Sequence, residues 1–171
     1  EAEAGKLGMM TGGDEALLNQ IRPVLSCFAD TIIHAGPIGA GHRLKLINNF
    51  LSLSHAAIAA EAIAVAAKAG VSMQALKDIV VAGGANSVMF ERIIKVPLED
   101  DDSAAKFAIR NARKDLRYYT AMAEEQASAS FLAEQVLQLY TIAENLGFAD
   151  RYVPRMVDVM MQIGTGSKPQ G

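Results

Sequence analysis

The spacing of apolar positions changes once along the chain, near Gly36. Before it they form short runs. Lys6-Leu7-Gly8-Met9-Met10-Thr11 is closed by Gly12-Gly13 and reads as a strand. Asp14 stands where a helix N-cap belongs, and Leu17, Leu18, Ile21, Val24, Leu25 and Phe28 follow at helical spacing. Pro23 lies inside that pattern and is expected to kink it. Thr31-Ile32-Ile33-His34 reads as a second strand, ending at Gly36. Strand, helix and strand make a βαβ-like unit. Two strands cannot stand alone with bare edges, so residues 1–36 are expected to be the tail of a larger sheet.

After Gly36 the period becomes helical. A turn-rich junction, Gly36-Pro37-Ile38-Gly39-Ala40-Gly41, leads into one long helix from about Arg43 to Ala69, which Gly70 ends. Ser72 caps a helix from Met73 to Val81, and Gly83-Gly84 stops it. Asn86 or Ser87 starts a third helix, through Lys95, ended by Pro97. Leu98 to Ser103 is an acidic, solvated connector. An amphipathic helix runs from Ala104 to Gln126, another opens at Ser130 and ends at Gly147, and a last one lies between Pro154 and Met161. The expected organisation is therefore an α/β piece at 1–36, an all-α domain of about six helices at 37–163, and a Gly/Ser/Pro-rich disordered tail at 164–171. The fold class is mainly α.

Composition narrows the function. Hydrophobic residues make up 51% and charged residues 20%, which marks a folding chain. The net charge of −3 leaves no basic surplus for phosphates, so no nucleic-acid partner is expected. The apolar stretch from Asn49 to Gly70 is long enough to cross a bilayer, but His55 and Glu61 interrupt it. It is read as the buried helix of a soluble protein, with no membrane partner. The single cysteine, Cys27, fits a reducing compartment, and with no leader visible the expected location is cytoplasmic. Three histidines and one cysteine argue against a zinc site, and Glu99-Asp100-Asp101-Asp102 lacks the spacing of a calcium loop. His55 is expected to be a satisfied core or interface histidine.

Chemistry concentrates at residues 36–49. The glycines permit a sharp turn and close approach of a ligand to backbone. Lys45 and Asn49 lie four residues apart on the helix that follows, hence on one face. An amine beside an amide can grip a hydroxyl or carbonyl oxygen and move its proton, and desolvation brings a lysine toward about 7–8, where it exchanges protons readily.

The run Gly-x-x-Gly-x-Gly-x-x-x-Lys-x-x-Asn-Asn, from Gly36 to Asn49, resembles a signature of the β-hydroxyacid dehydrogenases, which include 3-hydroxyisobutyrate dehydrogenase and tartronate semialdehyde reductase. Phe107 with Lys114-Asp115-Leu116 resembles a further one, Phe-x6-Lys-Asp-Leu, and residues 2–7 and 12–15 resemble the end of that family's nucleotide-binding domain. The likeness covers nearly the whole chain. It implies a 6-phosphogluconate dehydrogenase-like C-terminal helical domain preceded by the last βαβ piece of a Rossmann domain.

The resemblance also implies roles. Lys45 becomes the catalytic acid/base, and Asn49 holds the substrate oxygen. Lys114 reaches the cofactor, NAD or NADP, near its nicotinamide, Asp115 orients that amine, and Phe107 forms an apolar wall. The substrate is a small β-hydroxy acid or its semialdehyde, and the assembly is a homodimer or tetramer. The family's Gly-x-Gly-x-x-Gly cradle is not in this sequence, so the chain reads as a fragment that is inactive by itself. The rivals are a non-catalytic oligomerisation module and an imine reductase-like enzyme; Lys45 argues against both. A 6-phosphogluconate dehydrogenase would have a much longer helical domain.

Overall fold

The computed structural model describes residues 7–165. It divides into two units that meet between Asn48 and Asn49.

In the first unit, β1 (Leu7–Thr11) and β2 (Ala29–His34) pair in parallel, with Met9 opposite Ile32 and Thr11 opposite His34. The crossover between them is α1 (Glu15–Leu25). Asp14 caps α1 as expected: its Oδ1 accepts from the N–H groups of Ala16 (2.7 Å) and Leu17 (3.1 Å). Pro23 stands two residues before the end of α1. Leu18, Ala29 and Leu46 are buried, while Leu17, Ile21 and Val24 form an exposed apolar row on α1.

Two glycines at the junction are required by the fold itself. A Cβ on Gly41 would lie 2.4 Å from the Met10 carbonyl oxygen, and one on Gly12 would lie 2.6 Å from that of Pro37. These glycines let the start of α2 (Ala40–Lys68) close onto the end of β1. The close neighbour is the chain's own backbone. With Gly39 in the left-handed region (φ 88°), α2 begins at Ala40, one turn ahead of the expected start at Arg43.

The second unit is helical: the rest of α2, then α3 (Met73–Ala82), α4 (Val88–Ile93), α5 (Lys95–Glu99), α6 (Ile109–Glu125), α7 (Phe131–Ala143) and α8 (Met156–Thr165). Ser72 and Ser87 cap α3 and α4 through bonds to the N–H groups of Ala75 and Phe90. Gly70 adopts φ 73° at the end of α2, as a left-handed cap requires. The core gathers Leu53, Ala56, Ala60 and Ile63 of α2 against Ile93, Ile109, Leu116, Tyr140 and Val159. Alanines on the inner face of α2 allow close helix approach. Tyr140 is fully buried, donates its hydroxyl to the Leu53 carbonyl at 3.3 Å, and has its phenol pushed well above the usual range by desolvation.

Several boundaries moved. Pro97 does not stop a helix; it occupies the third position of α5, where its missing N–H has no partner to lose. The helix expected from Ala104 begins at Ile109, because residues 103–105 form a 3-10 turn and Ala108 bridges antiparallel to Tyr152. The acidic connector is not simply solvated: Asp100 and Asp102 pair with Arg155. His55 is exposed rather than part of the core. Gly164 and Thr165, expected in the tail, belong to α8, and residues 166–171 lie outside the described residues.

By length and composition α2 could cross a membrane: its most apolar 18 residues have a mean hydropathy of 1.6, and 39% of them are buried. Its outer face keeps Leu51, Ile58 and Val65 exposed at seven-residue intervals.

Burial raises the Asp158 carboxyl above its ordinary value, and the opposing pull of Arg155 and Arg151 does not cancel it. The folded state then holds that proton more tightly than the unfolded state. Stability should fall as pH rises from the ordinary carboxyl value through the raised one, then level off. Asp158→Asn should remove this slope and leave stability near neutral pH equal or higher. Urea denaturation at about pH 4.5 and about pH 7 measures it; a loss beyond about 1 kcal/mol near pH 7 would show that the contact with Arg155 outweighs burial.

Candidate active site

Two of the expected site segments meet across the second unit. Asn49 lies on α2 and Asp115 on α6, and the Asn49 amide donates from Nδ2 to Asp115 Oδ2 at 2.7 Å. The other carboxylate oxygen, Oδ1, holds Lys114 Nζ at 3.2 Å. Successive helix residues point about 100° apart, so the long lysine folds back to reach its neighbour. Asp115 is 5% exposed and sits among the inward residues of α6, between Ala112 and Leu116. A buried carboxylate needs partners to offset its lost hydration. Here it takes an amide from one helix and an ammonium from its own.

This arrangement fixes the Asn49 amide. A carboxylate accepts only, so the nitrogen must face it. The amide oxygen and the second N–H remain for another group. Beside this pair, Phe50 and Tyr119 stack with ring centroids 4.3 Å apart, closing α2 on α6 at the next positions. Lys114 remains half exposed, with its ammonium held on the buried acid. Arg113 pairs with Glu144 and Arg110 with Asp150, and the Arg117 guanidinium lies over the Tyr118 ring at 5.6 Å. Lys114 is thus the cation on this stretch that Asp115 aims.

Lys45 belongs to the first unit, in the second turn of α2, and is exposed. Phe107 precedes α6 and is half-buried against the core, with its carbonyl accepting the Val153 N–H at 2.9 Å. A cleft of about 310 Å³, lined by His55, Ile58, Leu76, Val80, Asn86 and Phe90, contains none of the expected site residues. Among the described residues no cluster of His, Cys, Asp and Glu could hold a metal ion.

The bond from Asn49 to Asp115 escaped the sequence reading, since 66 residues separate the two. One signal was present. The period of Ile109, Ala112, Leu116, Thr120 and Ala123 places Asp115 on the inward face of its helix, where a charge must have a partner.

Residues 39–160 match the family model described as "NAD-binding of NADP-dependent 3-hydroxyisobutyrate dehydrogenase". The chain belongs to this family. The 3-hydroxyisobutyrate dehydrogenase relatives are oxidoreductases that use NAD(P), and the resemblance read from the motifs holds. L-threonate dehydrogenase of Pectobacterium atrosepticum is 32% identical over 149 residues, covering 86% of this chain and 49% of that protein. 2-(Hydroxymethyl)glutarate dehydrogenase of Eubacterium barkeri is 35% identical over 115 residues, covering 67% of this chain and 38% of that protein. The crystal structure of 3-hydroxyisobutyrate dehydrogenase from Salmonella typhimurium superposes with a TM-score of 0.82 at 30% identity, over 92% of this chain and 55% of that one. The chain spans about half the length of the curated relatives it matches or less.

Asp115→Ala leaves an Asn49 N–H and an ammonium without their acceptor, and should cost this unit about 1–3 kcal/mol. Lys114→Met should cost at most about 1 kcal/mol, because the lysine is half exposed. Urea denaturation of both variants checks the order; a larger loss in Lys114→Met would contradict it.

Proposed function

We propose that this chain is the helical half of an NAD(P)-dependent β-hydroxyacid dehydrogenase and carries its acid/base lysine. The observation that supports the reading is the hydrogen bond from Asn49 to Asp115, which joins the two family motifs the sequence holds apart. The substrate is a small β-hydroxy acid or its semialdehyde.

The residues suit part of the cofactor's needs. Lys114 is a half-exposed cation anchored by a buried acid, suited to a ligand near the nicotinamide end, and Phe107 supplies an apolar surface beside the start of α6. No Gly-x-Gly-x-x-Gly cradle for the pyrophosphate occurs in the sequence. Bound NAD(P) supplies the hydride acceptor in oxidation and the donor in reduction. In oxidation the Lys45 amine takes the hydroxyl proton as hydride leaves the same carbon; in reduction its ammonium returns a proton to the forming alkoxide. Asn49, held by Asp115, presents its free amide atoms to that oxygen. The exposed row Leu17, Ile21 and Val24 on α1, and the two-stranded sheet beside it, fit a continuation into a nucleotide-binding domain.

The test compares this chain with the full-length protein that carries it. With NAD or NADP and a panel of β-hydroxy acids, the chain alone should give no turnover, since remote cofactor contacts align the reacting atoms. In the full-length protein, Lys45→Ala should lower kcat about 100-fold or more, and Lys45→Arg should not restore it, because a guanidinium does not release its proton near neutrality. Unchanged turnover in either variant would remove Lys45 from the mechanism.

The same reading makes the protein a homodimer or tetramer in the cytoplasm. Leu51, Ile58 and Val65 give α2 an exposed apolar stripe of seven-residue period, suited to a second copy of the helix. Exposed Cys27 fits a reducing compartment. Sedimentation at several concentrations should find a dimer that persists at low micromolar, weakened by Ile58→Glu. A monomer throughout would contradict the association.

A further inference from the structure

Nothing in the sequence marks Arg155, yet its side chain is among the most engaged in the molecule. Its guanidinium is largely buried, with the side chain 13% exposed. Nη1 donates to Asp100 Oδ1 at 2.7 Å and to Asp158 Oδ2 at 3.5 Å. Nε donates to Asp102 Oδ2 at 3.0 Å, and Nη2 to the Asp100 carbonyl at 3.3 Å. The planar fork of arginine can serve these acceptors at once; an ammonium cannot. Three carboxylates around one cation would repel one another without it.

The consequence lies in the connector. Asp100 adopts a left-handed conformation (φ 52°), disfavoured for a side chain with a Cβ, at the point where Arg155 grips both its carboxylate and its carbonyl. Asp101 accepts the Ser103 N–H at 2.8 Å, starting the 3-10 turn that ends at Ala105. Phe107 then donates its N–H to the Ala105 carbonyl at 2.8 Å and accepts the Val153 N–H at 2.9 Å. Val153 is two residues from Arg155. The segments 102–107 and 153–155 therefore close a ring, sealed at one end by the Arg155 pairs and at the other by the Phe107 carbonyl. Just beyond it, Ile109 and Arg110 donate their N–H groups to the carbonyls of Arg151 (2.9 Å) and Ala149 (3.0 Å), fixing the first turn of α6. A loop tied at both ends has fewer conformations than one tied at a single end.

We propose that Arg155 is a positioning residue: through the ring it closes with Asp100 and Asp102, it sets the place of Phe107 for cofactor binding. The inference rests on the assignment of Phe107 to the cofactor surface.

The test is a double-mutant cycle in the full-length protein, read as NADH and NADPH affinity by fluorescence titration, with amide hydrogen exchange measured alongside. Arg155→Met should weaken binding of the preferred cofactor roughly ten-fold, the change that losing about 1.4 kcal/mol of contact makes. Arg155→Lys, which keeps the charge but not the fork, should fall between it and the wild type. Phe107→Ala should also weaken binding, and adding Arg155→Met to it should change affinity by less than about two-fold, since the group being positioned is gone. In Arg155→Lys the Val153 and Ile109 amides should exchange faster while those of the buried turns of α2 stay unchanged. A full Arg155 effect persisting in the Phe107→Ala background would reduce Arg155 to a structural role and overturn the proposal. So would unchanged Val153 exchange in Arg155→Lys, which also decides the matter if Arg155→Met does not fold. Wild-type affinity in Phe107→Ala would instead refute the assignment of Phe107, and the proposal with it; whether the chain belongs to a working dehydrogenase is then read separately from turnover.

Discussion

A carboxylate buried inside a helical unit constrains everything near it. Asp115 is cut off from most of its hydration, so the fold must bring it donors. It does so with one amide from α2 and one ammonium from α6. The first bond ties the two helices together, beside the stack of Phe50 on Tyr119. The second leaves Lys114 half exposed but no longer free to wander. Structure and proposed chemistry thus share one origin. The carboxylate that joins the helix pair through one oxygen holds the Lys114 ammonium through the other, and in the proposed reading it thereby orients an amide toward substrate and an amine toward cofactor.

The rest of the helical unit can be seen as support for that pair. Alanines along the inner face of α2 let the neighbouring helices approach, and Tyr140 reaches across to the Leu53 carbonyl one turn beyond Asn49. At the other side of α6, the segment 149–155 satisfies the N–H groups that a helix start leaves without partners, and Arg155 fastens the connector leading into it. Among the described residues the outer face of α2 keeps Leu51, Ile58 and Val65 exposed, and this apolar stripe distinguishes it from an ordinary surface helix.

Much of this was legible in the sequence, and the reasons differ by element. Caps were readable because Asp14, Ser72 and Ser87 act within three residues of their own positions. The βαβ piece was readable from period alone, and the parallel pairing followed. The family motifs named Lys45, Asn49, Phe107, Lys114 and Asp115. What the sequence hid was nonlocal. Asn49 and Asp115 carry no mark of each other, and Arg155 finds carboxylates more than fifty residues away that read as a solvated acidic run. Pro97 misled because proline stops a helix only past its first turn, and nothing local to Ile94 marks that α4 ends and a new helix starts there. At Gly41 the glycine also serves the fold, since the end of β1 lies where a Cβ would stand.

The central claim is that Asp115 couples Asn49 to the helix bearing Lys114. A double-mutant cycle on this chain, Asn49→Ala against Asp115→Ala by urea denaturation, measures that coupling directly. The account predicts an interaction of about 1 kcal/mol or more, as for groups in direct contact with a charged partner. Losses that add to within about 0.3 kcal/mol would contradict it, because independent residues behave that way.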